Sequence, residues 1–210
     1  MATTFEHGDH VCVLYDTEEE QLTVAAAYVA DGLRNHERCL YVADSDVALD
    51  RFVGMLSALG IDGREAEKRG ALLLRTTSQA HLVDGHFDSE RMLGLLNQTV
   101  EDALNDGYAG LRTCGDMSWL VDEPPGCSAV VEYEALLNPL FQSVRAVGMC
   151  QYDRRRLPAG LLDHALATHS SAVIDGRHGL NPFYKPPEIA ATRVAQPGDL
   201  HWKISELRRR

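Results

Sequence analysis

No apolar run in this chain approaches the ~20 residues that a membrane-spanning helix requires, so these residues predict no membrane attachment. Positive charge is in short supply. Twenty Lys+Arg stand against 31 Asp+Glu, a formal net charge of −11, which argues against direct nucleic-acid binding and against an anionic membrane surface. Cysteine is too scattered for a disulfide framework: the five, at 12, 39, 114, 127 and 150, are odd in number. Four lie in or beside apolar runs, where a thiol behaves as a small hydrophobe. The opening MATTFEH has neither the basic nor the apolar region of a secretory signal, so the expected location is cytoplasmic. Aromatics reach only 7%, yet 45% hydrophobic residues over a length of 210 can bury a core without a disulfide or metal staple.

What is present alternates. Short apolar runs at 11–15, 39–43, 71–75, 110–114 and 147–152 have the length and composition of buried strands. Between and after them, helical spacing marks 18–35, 46–59, 88–105, 128–144 and 159–168. Thr17 with Glu20 three residues on forms a capping-box pattern, with Asp16 as a competing cap. Near the end, Asp175-Gly176 between two short runs predicts a hairpin. The expected class is therefore α/β: a three-layer sandwich with a mainly parallel five-stranded core sheet plus a C-terminal hairpin. The expected organisation is one domain over 1–188 and a C-terminal arm over 189–210, loosely ordered or partner-docking. Ligands in such folds bind beyond the carboxyl ends of the strands. That rule selects Tyr15, Asp16, Asp44, Thr76, Asp116, Trp119, Tyr152, Asp153 and Arg154.

The first strand, turn and helix resemble the opening of RecA/KaiC-type ATPase domains. There the turn is glycine-rich and carries a lysine, so that amides and ammonium cradle phosphates. Here residues 15–21 read YDTEEEQ, with no glycine and no lysine. Asp16, Glu18, Glu19 and Glu20 stand where a triphosphate would sit. They favour a helix N-terminus and repel polyphosphate. ATP hydrolysis is not expected at this position.

Five motifs in order carry a closer resemblance: His10-Val11-Cys12 with Tyr15, LRTCGDMSW at 111–119, EYEALLN at 132–138, CQYD at 150–153 and NPFYKPP at 181–187. Together the chain resembles the MEDS domain, the methanogen/methylotroph DcmR-like sensory domain, over roughly residues 5–188. The resemblance implies a RecA-like fold with a degenerate P-loop that senses small molecules, hydrocarbon derivatives being the proposed class. Relatives of this kind often join the domain to a helix-turn-helix, a kinase or an anti-sigma-type partner. The residues after Pro187 are too few for such an output domain, so signalling is expected in trans or through self-association, with a homodimer expected by analogy.

The candidate ligand-binding residues are Tyr15, Arg112, Asp116, Trp119, Glu134, Cys150 and Tyr152. Arg112 shares a strand face with Cys114 and needs a partner, for which Glu134 and Asp116 are the candidates; a buried ion pair there is the structural alternative to ligand binding. Glu132 and Glu134 diverge by ~200° on a helix, so at most one points inward and they make a poor acid/base pair. His10 and Cys12 share a face and are weak metal candidates, with Cys114 and Cys150 conceivable partners; no metal and no cofactor are expected. His169 reads as a helix-end residue. Arg154–Arg156 read first as a solvated basic turn, then as an anion contact or a docking patch. No nucleophile elbow is present, and the expectation is a non-enzymatic sensor of a small organic ligand with a regulatory protein partner. The alternative is a degenerate RecA-like nucleotide- or cofactor-binding protein, possibly enzymatic. A scaffold without ligand is the third reading.

Overall fold

The computed structural model describes residues 5–186 and 197–209. Seven strands form one sheet in the order β3-β2-β4-β5-β1-β6-β7. The strands are β1 (His10–Tyr15), β2 (Arg38–Ala43), β3 (Leu72–Thr76), β4 (Leu111–Asp116), β5 (Ala146–Asp153), β6 (Ser171–Ile174) and β7 (Arg177–Leu180). All neighbours are parallel except β6 and β7. The five expected core strands are thus joined by the hairpin in one continuous sheet, because β6 pairs parallel to β1. Asp175 and Gly176 both take positive φ, 50° and 70°, at the hairpin turn, which is the backbone demand that Asp-Gly meets.

The strands of the centre are buried along their whole length, which is why they read as continuous apolar runs rather than alternating ones. Successive side chains still point to opposite faces. One face carries Val11, Val13, Cys39, Tyr41, Cys114 and Met149 under α1 (Glu18–Arg34) and α2 (Asp46–Ala58), with α3 (Gly63–Lys68) beside α2. The other carries Cys12, Leu14, Leu40, Cys150 and Tyr152 under α4 (Ser89–Asn105), α5 (Val130–Ser143) and α6 (Ala159–Thr168). Helix α3 lies in a segment for which the periodicity predicted no helix. Its six residues are too short for a periodic stripe, and it starts on the Asp62 side chain, which accepts from Glu65 N.

The predicted Thr17/Glu20 pair is in place, but the return bond reaches the amide before the cap rather than that of the cap itself. Thr17 Oγ1 accepts from Glu20 N at 3.1 Å, and Glu20 Oε2 accepts from Asp16 N at 2.9 Å. Thr17, not Asp16, is the cap.

Residues 197–209, within the stretch expected to be loosely ordered or partner-docking, form helix α7 (Pro197–Arg209). It packs on α6, with Leu200 buried in the core and Ile204 and Leu207 against it. Lys203 pairs with Asp163, and Arg208 Nε with Asp175 at 2.8 Å. These apolar positions recur three and four residues apart, so one face of a mostly polar helix is apolar enough to dock. The rest of the arm, 189–196 and 210, lies outside the described residues.

Candidate functional site

The carboxyl ends of β1, β2, β4 and β5 open onto a cleft of about 220 Å³. Tyr15, Tyr41 and Leu22 give it apolar wall, Asp44, Asp116, Asp153 and Glu18 give it carboxylates, and Arg155 and Arg156 stand at it as well. Four of the residues selected by the strand-end rule, Tyr15, Asp44, Asp116 and Asp153, therefore do line one site. Asp116 is the most buried acid of the four apart from Asp153, and it is held by the turn that follows β4: Ser118 N donates to Oδ1 at 2.9 Å and Ser118 Oγ to Oδ2 at 2.8 Å. The Tyr15 hydroxyl approaches Oδ1 at 3.4 Å. Burial, with Asp44 nearby, pushes the Asp116 carboxyl above its usual range against the pull of the Ser118 hydrogen bonds.

At the start of α1 two amides are turned onto side chains. The amides of Asp16 and Glu20, which a phosphate loop would aim at an anion, donate instead to the side chains of Glu20 and Thr17. Arg154 is not a solvated basic residue. It is largely buried and bridges Asp16 to Asp175, the latter at 3.3 Å. Arg155 folds back on Asp153, at 3.5 Å.

A second constellation lies on the other face, closer to the amino-terminal ends of the central strands. Strand β1 is flanked by β5 and β6, and the register places Gly148 opposite His10, with Cys150 two residues on. Across the other edge Val11 pairs with Ser171, which brings the end of α6, and with it His169, beside His10. Glu134 descends from α5. His10 Nε2 and His169 Nε2 lie 3.2 and 3.3 Å from Glu134 Oε2, and Cys150 Sγ lies 3.7 Å from His10 Nε2. All four side chains are buried, and their ligating atoms fall within 4.8 Å of one another. Burial alone would raise the Glu134 carboxyl, but the two imidazoles outweigh it and hold the group below the usual carboxylate range. Burial and the adjacent His169 lower His10 to about 4, and burial pushes the Cys150 thiol well up. Tyr152 stands edge-on to His169 at 5.8 Å. Such a group can hold protons or a cation.

The seven candidate ligand residues are thus not one site. Tyr15 and Asp116 line the cleft, Glu134, Cys150 and Tyr152 belong to the buried constellation, and Trp119 packs between Phe87 and His81. Arg112 is elsewhere. It does share a face with Cys114, but its partners are Glu37 at 2.6 Å and Asp31 at 3.2 Å, not Glu134 or Asp116. Those two acids lie on the opposite face and at the far end of the strand, out of reach. The ion pair instead stands beside a hollow of about 340 Å³ at the amino-terminal edge, which Glu37 lines. Of the metal candidates, His10 joins the constellation, whereas Cys12 Sγ donates to Ser171 O at 3.7 Å. Cys114 is on the other face with Cys39. Glu134 is buried and Glu132 exposed, as their divergence on the helix requires.

Residues 9–170 match the family described as MEDS, the MEthanogen/methylotroph, DcmR Sensory domain. The chain belongs to the MEDS family. No curated protein matches it. Among solved structures it is similar to the KaiC-like protein PH0186 of Pyrococcus horikoshii OT3, with 13% identity, a TM-score of 0.56, and coverage of 81% of this chain and 72% of that one. It is also similar to the flagellar accessory protein FlaH of Methanocaldococcus jannaschii, with 12% identity, a TM-score of 0.53, and coverage of 92% and 85%. At such identities the likeness is one of fold, and the fold is RecA/KaiC-like. In this MEDS chain the motif segments read from the sequence meet in space. His10, Glu134 and Cys150 are in the constellation, and Asn181 Nδ2 donates to His169 O at 2.7 Å. Asn138 Nδ2 donates to Thr168 O at 2.7 Å, tying α5 to the end of α6. His169 itself lies outside every motif. Its signal was a histidine next to a strand start, which is visible only once β6 is known to pair with β1. Among the described residues no helix is long and apolar enough to cross a membrane.

Proposed function

We propose that this MEDS chain is a non-enzymatic sensor of a small organic molecule, a hydrocarbon derivative carrying a neutral or cationic hydrogen-bond donor, which it reports to a transcriptional or signalling protein in trans. The observation that carries the reading is the strand-end cleft. Two amides at the start of α1, those of Asp16 and Glu20, donate to side chains, and the cleft walls carry Glu18, Asp44, Asp116 and Asp153. A polyphosphate finds fewer free amides there and meets four carboxylates, while an amine or alcohol finds acceptors and two tyrosine rings. The description of the family as a sensory domain supports the same reading.

Arg154 offers the route outward. It follows Asp153 of the cleft, pairs with Asp16, and meets Asp175, which in turn holds Arg208 of α7. A ligand that binds more tightly when this chain of ion pairs is made shifts α7 between docked and released states; equal affinity for both would shift nothing. The cytoplasm is the compartment such a regulator needs, and a homodimer is one way of presenting α7.

Calorimetry on the full chain tests the reading, with ATP·Mg²⁺ and a series of short-chain amines and alcohols. The expected result is binding by a member of the series that Asp116→Asn weakens about tenfold, the worth of one hydrogen bond of about 1.4 kcal/mol to a charged group. Micromolar binding of ATP·Mg²⁺ overturns it in favour of a degenerate nucleotide site, the reading that Arg155 and Arg156 at the cleft would serve.

A further inference from the structure

The buried His10, Glu134, Cys150 and His169 side chains have a polar accounting that does not close. His169 Nδ1 lies 2.7 Å from Ala165 O, so that nitrogen carries a proton and donates it. The ring's Nε2 faces Glu134 Oε2 at 3.3 Å. Neither Glu134 oxygen nor His169 Nε2 has a hydrogen-bond partner among the described residues, although all three atoms are buried. Protonating both imidazoles is a poor remedy, because the His10 and His169 rings lie tilted at 35° with centroids only 3.8 Å apart. Two cations would then lie in contact.

One divalent ion resolves all of this. Tetrahedral bonds of about 2.0 Å to nitrogen or oxygen and 2.3 Å to sulfur set ligand–ligand edges near ~3.3 and ~3.5 Å. Three of the six ligand–ligand separations are 3.2 and 3.3 Å from nitrogen to oxygen and 3.7 Å from sulfur to nitrogen, and the others lie within 4.8 Å. The Nδ1–H···O=C bond of His169 is the outer-sphere contact that orients a metal-bound imidazole. Two nitrogens, a carboxylate and a thiolate suit zinc-like ions rather than magnesium or calcium, and two anionic ligands balance the ion's charge.

We propose that His10, Glu134, Cys150 and His169 bind one divalent transition-metal ion of the zinc type. Binding releases the Cys150 thiol proton to solvent and leaves the thiolate on the metal. With four protein ligands the centre is closed, and it clamps β1, β5, α5 and the end of α6 together. It goes beyond the sensor reading and does not depend on the cleft.

The test uses untagged full chain. Elemental analysis after dialysis is expected to find one equivalent of zinc, and chelation is expected to lower the melting temperature. The cobalt-loaded chain is expected to show a thiolate-to-cobalt charge-transfer band that Cys150→Ser removes and Cys127→Ser keeps. Should Cys150→Ser not fold, X-ray absorption on the zinc-loaded wild type reads the ligand set: one sulfur among four ligands supports the proposal and none overturns it. A folded wild-type chain that takes up less than half an equivalent after incubation with Zn²⁺ or Co²⁺ overturns it, as does a band that survives Cys150→Ser. Loss of ligand binding in the cleft leaves the metal content unaffected, so the two readings fail separately.

Discussion

Replacing Arg112 by methionine separates a structural charge from a ligand-binding one. The guanidinium is almost fully buried and spends its donors inside the protein: Nε on Glu37 Oε2 at 2.6 Å, and Nη1 near Asp31 Oδ2 at 3.2 Å and Tyr28 O at 3.3 Å. It also lies over the Tyr28 ring, 4.7 Å from the centroid. Helix α1 can come this close only because position 32 has no side chain, since a Cβ on Gly32 would stand 2.6 Å from Arg112 Cδ. Asp31 is 43% exposed and contributes little. The Glu37 carboxylate is 7% exposed, and Arg112→Met leaves it buried with only the half-buried His7 beside it. Breaking a buried pair from one side costs about 3–5 kcal/mol. That is a melting-temperature loss of roughly 6–20 °C for a chain of this size. The assay is urea unfolding of the wild type, Arg112→Met, Glu37→Leu and the double variant. The double variant is expected to recover at least about 2 kcal/mol over additivity, because apolar replacement of both partners removes the orphaned charge. Binding in the cleft is expected to be unchanged wherever the protein is folded. A cost below about 1 kcal/mol, or a double variant no better than the sum of the singles, refutes the reasoning.

Two further perturbations follow from the packing around α5. Gly148→Ala would place a Cβ 2.3 Å from Phe141 Cε2, on a ring that is buried and edge-on to His10 at 5.5 Å. It is expected to cost about 1–3 kcal/mol by denaturant unfolding; a neutral effect would mean the ring can swing away. Burial, with Arg91 nearby and despite Glu134, lowers His81 to about 4 from an ordinary 6.5. Above pH 6.5 both folded and unfolded forms are neutral there, and below it the unfolded chain takes up a proton that the native chain refuses. Stability is therefore expected to fall between pH 6.5 and about 4, by up to about 3 kcal/mol from this residue. His81→Phe, which keeps a ring stacked on Trp119, should flatten that part of the pH–stability curve; an unaltered slope would place the titration elsewhere.

The parallel sheet, its flanking helices and the hairpin were legible in the residues because each element carries its own signal. Residues 39–43 form an unbroken apolar run because β2 is covered on both faces. Thr17 and Glu20 announce the start of α1 through three residues alone. Helix α7 was not legible as a docked element. Its charge is ordinary for a solvated segment, and only Leu200, Ile204 and Leu207 at helical spacing, a pattern too brief to stand out, mark the face it buries.

The sites divide along the same line. The cleft follows from topology: whichever strands are parallel, their carboxyl ends lie together, so Tyr15, Asp44, Asp116 and Asp153 could be named before their neighbours were known. The buried constellation follows from register, which a single chain does not display. His10 and Cys12 are two apart and read as a pair, yet on β1 the ring at 10 reaches Glu134 while the thiol at 12 reaches a carbonyl of β6. Cys114 and Cys150 looked equivalent as strand cysteines. A one-residue difference in which face each strand presents puts the first among the apolar side chains under α1 and the second against His10. Arg112 fails for the same reason. Its demand for a partner was legible from its apolar surroundings, but strand position and face, not residue type, assign that partner to Glu37 rather than Glu134. In this fold the acids lining the cleft are a property of strand ends and the buried four-residue cluster a property of strand pairing, so only the first can be inferred from local sequence.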